Sequence, residues 1–170
     1  MGGVIGGEES GCTETTTNVF IEAAYFEPTR TAMTGRKLNI TSDARYRFER
    51  GVDPAFLIDG MESATRLVTS FCGGEPSKLI IAGAEPDWKR EVILRPDRVR
   101  TLGGVDVPLD EIERILFVLG FKVNEENEAL LVSVPSWRSD IVGEAGLVEE
   151  EVRFYGFDKI QDVPSQSGDS

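Results

Sequence analysis

A lone carboxylate, Glu22, interrupts the otherwise apolar run Val19-Phe20-Ile21-Glu22-Ala23-Ala24-Tyr25-Phe26. An acid in a run that reads as a buried strand either faces water at a strand edge or lines a pocket, where it accepts a hydrogen bond from a ligand hydroxyl. The residues alone leave both readings open. Upstream, Gly3, Gly6 and Gly7 permit positive φ or close backbone approach, a weak signal by itself because most such clusters are turns. Arg45, Arg47, Glu49 and Arg50 form a charged cluster that either meets a phosphate backbone or pairs within the chain.

What is missing narrows the chemistry further. The 170 residues contain no histidine, so a Ser-His-Asp or Cys-His pair, a histidine general base and a histidine-ligated metal are excluded within this chain. Cys12 and Cys72 lie far apart and form no Cys-x-x-Cys element, which removes a cysteine-ligated zinc and fits a reducing cytoplasm. The net charge is −12, too acidic for broad binding to a phosphate backbone, which needs clustered Lys and Arg. No apolar run of about 18 residues and no basic-then-apolar leader is present.

These residues must be positioned by two sets of elements. In the first set, Val19 to Phe26 and Lys78 to Ala82 read as strands. Helical turns follow Pro28 and occupy Ser42 to Arg50. A longer helix is capped by Asp53, enters at Pro54, and carries Phe56, Leu57, Met61, Ala64, Leu67, Val68 and Phe71 on one face up to Gly73-Gly74. Gly83 to Lys89 has the Gly, Pro and charge mixture of a connector. The second set opens with the strand Val92-Ile93-Leu94 and a short helix from Pro96 to Leu102. Ile112, Ile115, Leu116 and Leu119 behind Pro108 then mark the clearest helix, stopped by Gly120. Phe121-Lys122-Val123 and Leu130 to Val134 flank the polar stretch Asn124 to Glu128 as a hairpin. Leu147, Val148, Val152 and Tyr155 mark a last helix before Gly156.

Gly3-Val4-Ile5-Gly6-Gly7-Glu8-Glu9-Ser10-Gly11 together with Ser42-Asp43-Ala44-Arg45-Tyr46-Arg47-Phe48-Glu49-Arg50-Gly51-Val52-Asp53-Pro54 resembles the editing region of bacterial phenylalanyl-tRNA synthetase β subunits. The second set is similar to the next module of those subunits, the B5 domain. Its marks are Arg98-Val99, Leu102-Gly103, Leu119 to Val123, Val134-Pro135-Ser136-Trp137-Arg138-Ser139-Asp140-Ile141, and Leu147-Val148-Glu149-Glu150 to Tyr155-Gly156-Phe157. The resemblance implies an α/β (α+β) chain, with part of a mixed B3/B4 editing module over residues 1–84 and a winged-helix-like B5 domain over 92–164; the composition reads as a linker over 85–91 and a disordered tail over 165–170. It also implies that the chain is a piece of a subunit several times longer.

The implied function is a share in the editing of tRNA(Phe) mischarged with tyrosine. An apolar pocket rejects an added hydroxyl by only about 10²-fold, whereas a hydrogen bond to a charged acceptor contributes roughly 1.5–3 kcal/mol. By resemblance Glu22 reads the tyrosine hydroxyl, backbone at Gly3 assists, and the small Ala44 leaves room for the hydroxyl. The same resemblance implies Mg²⁺ ligands at Asp140, Glu149 and Glu150. A further family aspartate is Gly146 here, and adjacent Glu149 and Glu150 point about 100° apart on a helix. The implied partners are tRNA(Phe) and the α subunit, in a cytoplasmic heterotetramer of two α and two β chains. Catalysis of ligation, with its ATP, belongs to the α subunit, and the chain alone is expected to be inactive. The competing reading is a non-catalytic acidic scaffold that docks RNA or a partner subunit.

Overall fold

A computed structural model of the chain describes residues 1–160, so the tail expected over 165–170 and the last four residues of the expected B5 domain lie outside the described residues. The chain divides into a first unit, Met1–Trp88, and a second that starts at Lys89.

Three helices build the first unit. Helix α1, Pro28–Leu38, starts because Pro28 pre-sets φ and the Glu27 carboxylate accepts from the amides of Thr29 at 3.0 Å and Arg30 at 2.6 Å. Those two amide bonds, that of Arg30 foremost, hold the Glu27 carboxyl below its ordinary range. The helix stops where Asn39 takes the left-handed conformation, φ 52°, and the Ile40 amide turns back to Gly35. Helix α2, Asp43–Phe48, is capped by Ser42, whose hydroxyl oxygen accepts from the Arg45 amide at 3.0 Å. Helix α3, Leu57–Cys72, enters three residues later than Asp53-Pro54 predicts. The Asp53 carboxylate instead caps a turn by accepting from the Ala55 amide at 3.0 Å.

The strands expected at Val19 to Phe26 and Lys78 to Ala82 do not form. A strand needs a neighbour to accept its amides and supply its carbonyl partners, and among the described residues of this unit there is none. Phe20 is 94 % exposed and Ile80 79 %. None of the residues of α3 is buried, and Leu57, Met61, Ala64 and Val68 on its apolar face are only half-buried. The buried residues of this unit are few: Gly3, Val4, Thr31, Gly35 and Pro54.

The second unit has a full core. Strands β1, Arg90–Leu94, β2, Lys122–Glu126, and β3, Ala129–Val134, form an antiparallel sheet in the order β1-β3-β2. The register sets Val92 and Val123 opposite Val132, and Leu94 opposite Leu130. Alternation along the strands then puts Val92, Leu94, Leu130, Val132 and Val134 on the inner face. Helices α4, Pro96–Gly103, α5, Leu109–Val118, and α6, Glu144–Tyr155, cover that face with Val99, Ile112, Leu116, Leu147, Val148 and Val152. Truncating one of these fully buried leucines to alanine costs roughly 2–5 kcal/mol.

β2 runs through Asn124, Glu125 and Glu126, which the polar pattern assigned to the hairpin loop. The turn itself is Asn127-Glu128, with φ 47° and 65°, the conformations of a two-residue hairpin. Gly103 lets α4 close on α6, because a Cβ there would lie 2.5 Å from the Val152 side chain. Glu144, at the start of α6, accepts from the amide of Arg95 at 2.9 Å and from its guanidinium at 2.5 and 3.0 Å. This fork ties α6 to the junction of β1 and α4.

Candidate functional site

Two groups of candidate residues lie in the two units. In the first unit, Gly3 has φ +68° and backs onto Phe26, where an added Cβ would lie 3.0 Å from the ring. Phe26 meets Phe48 of α2 edge to face, with ring centroids 5.1 Å apart. The Ser42 hydroxyl donates to the carbonyl oxygen of Val4, itself 1 % exposed. The glycine segment and the start of α2 are therefore held together, and Gly3 and Ala44 come to the same end of the unit.

Arg45 locks α2 onto α1. Its guanidinium lies against Gly35 and donates from Nη1 to the Ile40 carbonyl at 2.7 Å and from Nε to Glu49 at 2.9 Å. Glu49 also pairs with Arg50 at 3.3 Å, and the Arg50 guanidinium stacks 3.7 Å from the centroid of the Tyr46 ring. Three of the four members of the charged cluster are thus spent on intramolecular contacts. Arg47 is the exposed cation left over, with no pairing among the described residues.

Glu22 lies four residues upstream of Phe26. It is exposed on the extended segment before Phe26, and among the described residues no hydrogen bond ties it to Gly3 or Ala44. Two clefts stand out among the described residues. One, of about 500 Å³, runs along α1 between Glu27 and Lys37; the other, of about 180 Å³, lies on the outer face of the sheet against Ile93, Asn127 and Leu131. Neither is lined by Gly3, Glu22 or Ala44.

In the second unit, Asp140 and Glu150 meet on one cation. Arg138 donates from Nε to Asp140 Oδ1 at 2.9 Å, from Nη2 to Oδ2 at 2.6 Å, and from Nη2 to Glu150 Oε1 at 2.8 Å. Arg153, one turn along α6, donates to the same Glu150 oxygen. The hydrogen bonds from Arg138 hold the Asp140 carboxyl below its ordinary range, and the Asp140 carboxylate holds the guanidinium above its own. Glu149 is exposed, and about 100° of helical rotation points it away from Glu150. Among the described residues no three acidic or cysteine side chains gather as a metal site would require. The donor set implied by the resemblance therefore does not assemble around an ion. Gly146 supplies no carboxylate, and a Cβ there would lie 3.1 Å from the Ile141 side chain.

Glu151 is a buried acid that the sequence reading passed over. It is 0 % exposed, neither carboxyl oxygen has a partner, and burial pushes its pKa up to about 8. The signal was present, because Glu151 follows Leu147 by four residues and Val148 by three, which puts it on the apolar face of α6.

Residues 1–73 match the B3/4 domain family and residues 92–157 the tRNA synthetase B5 domain family. Together with the helix-covered sheet and the Arg138 node, these matches define an aminoacyl-tRNA synthetase segment in which a B3/4 domain precedes a B5 domain. The chain is similar to phenylalanine–tRNA ligase beta subunits from Paramagnetospirillum magneticum (58 % identity over 96 % of the chain), Rhodospirillum rubrum (53 % over 96 %) and Nitrobacter winogradskyi (48 % over 100 %). It belongs to the phenylalanine–tRNA ligase beta subunit family, and it spans 21 % of the length of each of these relatives.

Proposed function

We propose that the chain contributes to the pocket in which a phenylalanine–tRNA ligase hydrolyses tRNA(Phe) mischarged with tyrosine, and that its B5 unit serves contacts with the α subunit and tRNA. The observation that carries this reading is the bond from Ser42 to Val4, which holds Gly3 and Ala44 at one end of the first unit. There the close-approaching backbone at Gly3 receives the aminoacyl group, and the small Ala44 leaves room for the para hydroxyl. In this reading Val19–Phe26 is covered by a neighbouring strand, so that Glu22 faces the pocket and accepts a hydrogen bond from the hydroxyl. Water attacks the ester carbonyl, the bond to the terminal ribose oxygen breaks, and that oxygen leaves with a proton. This chain contributes no imidazole; the pocket and the terminal ribose hydroxyl of the tRNA position the water. Arg47, unpaired, meets the acceptor-end phosphates.

Ligation itself, with its ATP, belongs to the α subunit, and the assembly works in the cytoplasm; among the described residues no helix is long and apolar enough to cross a membrane. The test is Tyr-tRNA(Phe) hydrolysis by the complete ligase. Glu22→Ala is expected to lower it about 10- to 150-fold, the equivalent of one hydrogen bond to a charged group, and Ala44→Leu to block it by filling the hydroxyl space. Phenylalanine ligation should be unchanged by both. Unaltered hydrolysis in both variants overturns the reading.

A further inference from the structure

We propose that the carboxylates at the start and middle of the B5 helix region are closed by arginine instead of a divalent ion, so that Arg138 does in this chain what Mg²⁺ is implied to do in the family. The inference is independent of the editing reading. It rests on how the donor atoms are used. Both oxygens of Asp140 are taken by Arg138, and Oε1 of Glu150 is shared by Arg138 and Arg153, leaving only the buried Oε2 of Glu150 without a hydrogen-bond partner. Two carboxylates face two guanidinium groups, so the node is already neutral and offers a doubly charged ion no net attraction.

Geometry points the same way. Mg²⁺ asks for six oxygens at about 2.0–2.1 Å in octahedral array and tolerates little distortion. To reach Asp140 and Glu150 together it would have to expel Arg138, whose side chain is only 15 % exposed and stacks 5.5 Å from the Phe121 ring centroid. The Arg138 backbone is held as well, since Arg90 donates to its carbonyl oxygen. An expelled guanidinium would leave a half-buried charge unpaired, which is strongly unfavourable. Glu149 cannot compensate from its own side of the helix, and Gly146 has no oxygen to offer. Arg138 is thus a positioning residue that ties the segment after β3 to α6, through a bidentate fork that a planar guanidinium makes well and an ammonium does not.

The full 170-residue chain is melted in excess MgCl₂ and in EDTA at matched ionic strength, and Mn²⁺ binding is followed by electron paramagnetic resonance. The expected result is the same Tm in both solutions, and Mn²⁺ binding that is indistinguishable between wild type, Asp140→Asn and Glu150→Gln. A bound ion in hundredfold excess over its Kd would instead raise the Tm by several degrees. Arg138→Gln removes the cation and leaves the two carboxylates facing each other; it should gain saturable Mn²⁺ binding and a Mg²⁺-dependent Tm. Arg138→Lys keeps the charge and should stay insensitive to both ions. Saturable Mn²⁺ binding by the wild type that is lost in Asp140→Asn overturns the proposal, and so does an Arg138→Gln protein that melts cooperatively yet gains no divalent affinity.

Discussion

Ser42 and Val4 are joined across 38 residues of sequence by a hydrogen bond from the serine hydroxyl to the valine carbonyl oxygen, while the same hydroxyl oxygen accepts the Arg45 amide. One side chain therefore caps α2 and anchors the glycine segment to it. Removing it leaves an uncapped helix and a buried carbonyl without its partner. Ser42→Ala is expected to destabilise the first unit by about 1–3 kcal/mol, measured by urea unfolding, whereas Ser42→Thr, which keeps the hydroxyl, should lose much less. Equal losses in the two variants would show that the bond does not hold the segment.

Gly35 and Arg45 make a second, directional prediction. A methyl group at Gly35 collides with a guanidinium that is held by Ile40 and Glu49, so Gly35→Ala should lower stability by roughly 1–3 kcal/mol even though it improves helix propensity. In an Arg45→Ala background the obstacle is gone, and the same substitution should stabilise by about 1 kcal/mol. This reversal of sign in a double-mutant cycle is the readout; additive effects contradict the clamp.

Glu151 sets the pH dependence of the second unit. The unfolded carboxyl releases its proton near 4.5, the folded one near 8. Between these values the native state binds more protons, so stability falls as pH rises through the window, by at most about 1.4 kcal/mol per pH unit. Asp140 and Glu144, both depressed by arginine hydrogen bonds, act in the opposite sense and lose their contribution only as the pH falls below the ordinary carboxyl range. Glu151→Gln should flatten the decline between these limits, and Glu151→Leu should raise stability at the alkaline end. Denaturant midpoints across the pH range decide this, and a Glu151→Gln profile that parallels the wild type refutes it.

Because the chain lacks imidazole and leaves Glu22 exposed, the 170 residues on their own should show little or no hydrolysis of Tyr-tRNA(Phe). Deacylation assays on the purified chain test this. Robust turnover abolished by Glu22→Ala would mean that the chain needs no further groups to complete the pocket.

Much of the second unit is legible in its sequence, because local pattern and burial agree there. The spacing of Ile112, Ile115 and Leu116 behind Pro108 produces α5, and Gly120 ends it with φ +89°. The alternation from Leu130 to Val134 produces β3, whose partners lie in the same unit. Val19–Phe26 has an equally strong apolar pattern and forms no strand, because periodicity specifies a face and only a paired neighbour satisfies the backbone.

By itself the sequence determined the family, the absence of imidazole chemistry and most helix boundaries, all of which depend on residue identity and short-range spacing. Only the tertiary structure decided where the charges go. Asp140 and Glu150 are separated by ten positions, and whether they face an ion or an arginine depends on Arg138 folding back between them. Glu151 is indistinguishable in type from its neighbours Glu149 and Glu150, yet the packing of α6 against the core buries it unpaired. Charge is carried by residue type, but its partner and its dielectric surroundings are properties of the packed molecule.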